Sequence, residues 1–364
     1  MVRSDPSLSS TSTATPALGI AVNRSTETKL PDREDPTVDQ QTERGNFAVF
    51  YNIYIPPDPD ETQEKIVRSQ LKAIRKSSWR NDTIYYNLIG HDAPFVREVC
   101  DSCHRLGYYK QGWEDVTLTS VLKYCRRNPN DTIAYMHNKG SLNSNIMNDM
   151  TRRMATKSVL SDPCRTMPPP YNVCGFRFHI YPFTHFSTNL FAAKCHYVRR
   201  LMPPALYGPV RLRFCRVMME THHDQNCNTS AVEEPVAINQ TLGFGRYAME
   251  RWIMSHPLVV PGQVFNDSIH KFHSGWEEWT PVLVPPGGAG VKQPKTEVRS
   301  RLKHQLRQFQ YLYGEHAPPH GFCRVTLRRV TPPLCNTTGP GFKFESIYHN
   351  TVAPMIRDFA DDWQ

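Results

Sequence analysis

The chain has 364 residues, 39% apolar and 21% charged, so most of it is expected to fold around a sizeable core. Lys plus Arg number 43 against 34 for Asp plus Glu, and the formal charge of +9 favours anionic partners such as phosphates or acidic glycans. No Lys/Arg run and no aromatic-basic motif points to nucleic acid, and no stretch reaches the roughly 18 apolar residues of a spanning helix.

Residues 1–45 are rich in Ser, Thr, Pro and acids with almost no aromatics, the composition of a disordered tail. Within them "PALGIAV" (16–22) is too short for a signal anchor. Order is expected from "NFAVFYNIYI" (46–55), a strand by its β-branched and aromatic content. After "PPDPD", Asp60 and Gln63 have the spacing of a capping box. They open a helix over 61–77 with Ile66, Val67, Leu71 and Ile74 on one face. "TIYYNLIG" (83–90) reads as a strand, and 93–107 as a helix ending at Gly107. A short strand at 108–113, a helix over 115–128 and a strand over 132–137 follow. This alternation predicts an α/β fold with a mostly parallel, doubly wound sheet, whose ligands belong at the carboxyl ends of the strands.

Further on, 145–161 reads as a helix, "DPCRTMPPP" as a break, and "NVCGFRFHIYP" and "HFSTNLFAAKC" as strands and turns. "GRYAMERWIMSHP" (245–257) reads as a helix stopped by Pro257. Residues 281–295 are a Pro/Gly-rich linker or lid, and 296–315 a basic amphipathic helix. The expected organisation is a tail at 1–45, an α/β domain at 46–280 and a linker with a helical extension at 281–364.

Ten cysteines and N-x-S/T triplets at Asn23, Asn81, Asn130, Asn228, Asn239, Asn266 and Asn336 fit a disulfide-bonded glycoprotein of the secretory pathway or Golgi lumen. A cytoplasmic protein carrying silent triplets is the alternative. Three short motifs have plain explanations. "CDSCH" (100–104) matches a haem-attachment pattern but lacks an axial partner, and a disulfide or buried thiols explain it better. "HHD" (222–224) reads as an exposed loop rather than a metal site, and in "DPD" Asp60 already has a capping role.

"YMHNKGS" (135–141) is harder to explain away. Here a buried strand ends in His137, Asn138, Lys139 and Gly140 at a carboxyl edge. The two cations suit a diphosphate, and Gly140 permits close backbone approach; a solvated turn is the other reading. Arg246 and Glu250, four residues apart, make either a helix-surface ion pair or a pair facing a cleft.

"TIAYMHNKGS", "FTHFSTNLFAAKCHYVRRL" and "GRYAMERWIMSHP", in this order, resemble a glycosyltransferase-like family of bacterial polysaccharide clusters, expanded in algae and protists. Its motifs read His-Thr-Lys-Gly and His-Phe-Ser-Gly-Asn, and the likeness covers about residues 46–270. The resemblance implies a Rossmann-like GT-A fold and a nucleotide-sugar donor. Transfer would be to a hydroxyl of a glycan or glycoprotein. It assigns His137, Lys139, Gly140 and Arg246 to the donor diphosphate, His185, Ser187 and Asn189 to the sugar, and Glu250 to the catalytic base. Asn138 stands where Thr is usual, Thr188 where Gly is usual, and Leu190, Phe191 and Ala192 replace a bulkier aromatic run. The acidic metal pair usual in GT-A enzymes is not found at the expected strand end. Leaving-group charge then falls to Lys139, His137 and Arg199 or Arg200, or to Mn or Mg held by one carboxylate. A non-catalytic glycan-binding or scaffold protein on the same fold is the alternative.

Overall fold

Strands rich in aromatic and β-branched residues alternate with amphipathic helices, and the chain winds them into one central sheet. The computed structural model describes residues 45–138, 145–179, 184–222 and 248–264, all within the unit Glu43–Gln364. The proposed tail apart from Gly45, the 281–295 loop, the 296–315 helix and His223–Asp224 lie outside the described residues.

Strand β1 (Phe47–Ile55) is almost wholly buried because it lies inside the sheet with helices on both faces. Helix α1 (Glu61–Lys76) begins at the expected capping box, with Asp60 and Gln63 bonding reciprocally, and buries Ile66, Val67, Leu71 and Ile74. Strand β2 (Thr83–Gly90) ends at Gly90, whose φ of +90° favours glycine; a Cβ there would lie 2.0 Å from the Ile55 carbonyl oxygen.

The chain departs from expectation next. Instead of one helix over 93–107, α2 spans only Pro94–Val99. Cys100 and Cys103 then close a disulfide turn, and β3 (His104–Tyr109) forms the edge strand. The apolar spacing of Val96, Val99 and Cys103 mimics a continuing helix, but the disulfide ends it. Both thiols of "CDSCH" are thereby used, which leaves none for haem.

Helix α3 (Glu114–Arg127) leads into β4 (Thr132–His137), and α4 (Ile146–Val159) into the short α5 (Asp162–Thr166). Short strands β5 (Val173–Gly175), β6 (Phe178–His179) and β7 (His185–Phe186) follow. A 3-10 turn at Ser187–Asn189 precedes β8 (Phe191–Lys194) and helix α6 (Cys195–Val198). Helix α7 (Pro204–His222), with Pro209 inside it, was not evident from the sequence; α8 (Met249–Trp252) and β9 (Pro261–Gln263) complete the described elements.

The seven-stranded order is β3-β2-β1-β4-β8-β5-β9. Strand β8 runs antiparallel to both neighbours and the other pairings of this sheet are parallel, so the α/β, mostly parallel architecture holds, while β6 and β7 form a separate antiparallel pair. Two apolar layers sandwich the sheet. Phe50, Ile133, Tyr135 and Phe191 pack with α3, α6, α7 and α8 on one face. Val49, Tyr51, Ala134 and Met136 pack with α1, α2 and α4 on the other. Disulfide Cys125–Cys195 ties α3 to α6 in the first layer, and Cys164–Cys174 ties α5 to β5 in the second. No helix among the described residues is long and apolar enough to cross a membrane, and the disulfides Cys100–Cys103, Cys125–Cys195 and Cys164–Cys174 fit an oxidising compartment.

Candidate functional site

Strand pairing places three polar residues side by side. Asn52 on β1 is in register with both Asn87 on β2 and His137 on β4. All three are buried near the carboxyl ends of parallel strands, and all face α3. A helix presents residues three apart on one side, and α3 meets the row with Glu114, Thr117 and Ser120. The Thr117 hydroxyl donates to Asn52 Oδ1 at 2.7 Å and accepts from Asn87 Nδ2 at 3.2 Å. Asn87 Nδ2 also reaches Ser120 Oγ at 3.3 Å, while Asn87 Oδ1 is buried without a partner.

Glu114 gathers the other end of the row. Its carboxylate accepts from Asn189 Nδ2, and from the Tyr135 hydroxyl at 3.3 Å. Burial, reinforced by the neighbouring carboxylate, holds the Tyr135 phenol well above its ordinary pKa, so it stays a donor. The His137 ring sits between two protein oxygens. Nε2 is 2.5 Å from the Thr188 carbonyl, which can only accept, so the proton is assigned to Nε2. Nδ1 lies 3.7 Å from Glu114 Oε1, longer than a hydrogen bond but close enough for an ion pair when the ring carries a second proton.

The turn after β7 carries the expected sugar residues. Thr188 has φ +75° and Asn189 φ +53°, both in the left-handed region that side chains disfavour. Such geometry favours glycine over a residue with a side chain. Both residues are buried, and Thr188 Oγ1 and Asn189 Oδ1 have no partner among the described residues. His179 Nε2 lies 2.7 Å from Ser187 Oγ, and its ring stacks on His185 at 5.1 Å. Burial chiefly, then the neighbouring His185 and Arg177, push His179 down to about 3, so it is neutral at physiological pH.

Helix α8 packs against β7 and the 3-10 turn and so brings the helix of Glu250 to the same end of the sheet. It is anchored from both sides: Trp252 Nε1 donates to the Met202 carbonyl at 2.7 Å, and the Tyr197 hydroxyl to the Ile253 carbonyl at 2.6 Å. Glu250 itself is half-buried. Asn138 extends β4 by side chain. Where the β1–β4 ladder stops, its Oδ1 accepts from the Tyr54 N–H at 2.9 Å and its Nδ2 donates to the Tyr54 carbonyl at 2.6 Å. Lys139, Gly140 and Arg246 lie outside the described residues. Among the described residues no three His, Cys, Asp or Glu converge as a metal site.

A family model described as "Domain of unknown function (DUF8361)" matches residues 50–323, more than half of the chain. The chain belongs to the DUF8361 family. The DUF8361 match runs through every element of the site, from Asn52 to Glu250. No curated protein matches the chain. Among solved structures, a cytidylyltransferase from Leptospira borgpetersenii aligns at 8% identity and a TM-score of 0.25, over 43% of this chain and 63% of that one, less than two thirds of its length. A putative nucleotide-diphospho-sugar transferase from Desulfovibrio desulfuricans aligns at 8% identity and a TM-score of 0.25, over 54% of this chain and 98% of that one.

Glu114, Asn52 and Asn87 were not singled out from the sequence. Glu114 looks like any acid in a helix's first turn, where the helix dipole favours it. The asparagines did leave a trace: each follows a tyrosine inside an otherwise apolar strand, in "YNI" and "YNL".

Proposed function

We propose that this DUF8361 protein is a nucleotide-sugar-dependent glycosyltransferase of the secretory pathway, acting on a hydroxyl of a glycan or glycoprotein. The observation that carries this reading is the acceptor-rich cluster at the carboxyl edge. Beside the half-buried Glu114 carboxylate, Thr188 Oγ1 and Asn189 Oδ1 are buried without a partner among the described residues, and sugar hydroxyls are donors that would satisfy them. In the reaction the acceptor oxygen attacks the anomeric carbon, its proton passes to the Glu250 carboxylate, and the bond to the diphosphate oxygen breaks. Lys139 and Arg246 receive the charge that develops on the leaving group. The His137 ring, 3.7 Å from Glu114 through Nδ1, lines the diphosphate side of the site beside them. His185, Ser187 and Asn189 hold the sugar. The test is hydrolysis of uridine and guanosine diphosphate sugars by wild type, Lys139→Ala and Glu250→Gln. Loss of turnover in both variants is expected, and undiminished turnover in Lys139→Ala would sink the assignment.

The engagement of His137 Nε2 by the Thr188 carbonyl favours a second reading, a glycan-binding protein without transfer. Calorimetry separates the two: a transferase binds the nucleoside diphosphate, whereas a glycan receptor binds the saccharide alone.

A further inference from the structure

Behind β4, on the face away from Glu114, α1 and α4 leave a groove of about 830 Å³ between them. That is within the size range of small-molecule sites. Its cations are Lys72 and Lys76 from α1 and Arg152, Arg153 and Lys157 from α4, against one lining carboxylate, Asp162. Asp149 neutralises part of the charge by pairing with Arg152 and Arg153. Neither Lys72 nor Lys76 forms an ion pair with a described residue. Lysines in a helix's last turn often answer the helix dipole, which explains Lys76; Arg152 is held by Asp149. It is only 6% exposed and lines the groove, and burial pulls its pKa below the ordinary value. The Ser78 hydroxyl, also in the lining, is buried without a partner.

The groove reaches the strand end from behind. Gln70 lines it, accepts from the Tyr51 hydroxyl at 2.6 Å, and donates to the His137 carbonyl and to Thr156 Oγ1, each at 3.2 Å. One residue thus separates the groove from the backbone that carries the His137 ring.

We infer that the α1–α4 groove is a second ligand site, taking a small molecule that bears phosphate or sulfate groups. Converging cations on two facing helices repel one another, and a bound polyanion removes that repulsion while giving Ser78 an acceptor. The site does not depend on the transferase reading.

The test is calorimetry with two probes, inorganic pyrophosphate and a heparin-derived sulfated tetrasaccharide, on wild type, Lys72→Gln/Lys76→Gln, Lys123→Gln and Lys139→Ala. Both groove lysines are exposed, so the double variant is expected to fold. Its affinity for the bound probe should fall about tenfold or more, with Lys123→Gln, on α3, unchanged. Tighter binding of pyrophosphate assigns a phosphate ligand, and tighter binding of the tetrasaccharide a sulfated glycan. Binding lost in Lys139→Ala but kept in the groove variant belongs to the carboxyl-edge site and overturns the proposal. Equal loss in Lys123→Gln, or no binding of either probe, overturns it too.

Discussion

The two faces of β4 are both polar near His137, yet they are unbalanced in opposite senses. On the α3 face, oxygens outnumber donors: Asn87, Thr188 and Asn189 each keep an unpaired buried oxygen. On the α1–α4 face, Gln70 pairs the buried groups, and the surplus is positive charge. A buried polar group normally has a partner because leaving it bare is costly. The sense of each imbalance matches the ligand proposed for it: hydroxyl donors in front, an anion behind. It also separates structural from ligand-directed polarity, since Gln70 is saturated and Asn189 is not.

Disulfide removal should give the largest effect. Chain entropy predicts a cost of about 4 kcal/mol for Cys125→Ala/Cys195→Ala, against about 3 kcal/mol for Cys164→Ala/Cys174→Ala, because the first pair closes the longer loop. Urea unfolding of both variants measures the difference, and equal midpoints would break the ranking of the two layers. Gln70→Ala comes next, at about 2–3 kcal/mol, because three partners lose their bond at once. Acid should weaken the α3 face in particular. His179 and His256, held down to about 3 and about 4 chiefly by burial, stay neutral in the fold while the unfolded chain takes up protons below about pH 6.5. Their contribution is complete above that pH and is lost as pH falls towards those values. Melting temperatures measured from pH 7.5 to 4.5 should decline, and His179→Gln should flatten the decline.

Asn189→Ala tests the contrast with Gln70 directly. Half of its amide is already unpaired, so the stability loss should be only about 1 kcal/mol, while saccharide binding at the carboxyl edge disappears. A loss as large as that of Gln70→Ala would make the two faces equivalent. The smallest effect is expected for Lys72→Gln, within about 0.5 kcal/mol by thermal unfolding, since the side chain is exposed and unpaired.

Local signals made much of the framework legible. The Asp60–Gln63 box, the apolar stripe of α1 and the aromatic strands β1 and β2 form as the spacing predicts, because each is decided within a few residues. The His137 strand end was legible for the same reason. Glu114 was hidden because its role arises only when α3 docks beside β4 and the Asn189 turn. The 93–107 segment misled because a disulfide, which periodicity cannot register, divides it into a helix and an edge strand. The three-residue row Asn87–Asn52–His137 depends on sheet register, which a linear reading does not supply.

The left-handed turn at Thr188–Asn189 bears on the order of assembly. Thr188 is bonded to His137, 51 residues earlier, and Asn189 to Glu114, 75 residues earlier. Neither is within reach until β4, β8 and α3 have come together, and two non-glycine residues do not hold such a shape unaided. The turn is thus expected to form late in folding, after the long-range contacts that hold it. Saccharide capture at this turn would report that the whole sheet is closed, so binding and foldedness become one measurement.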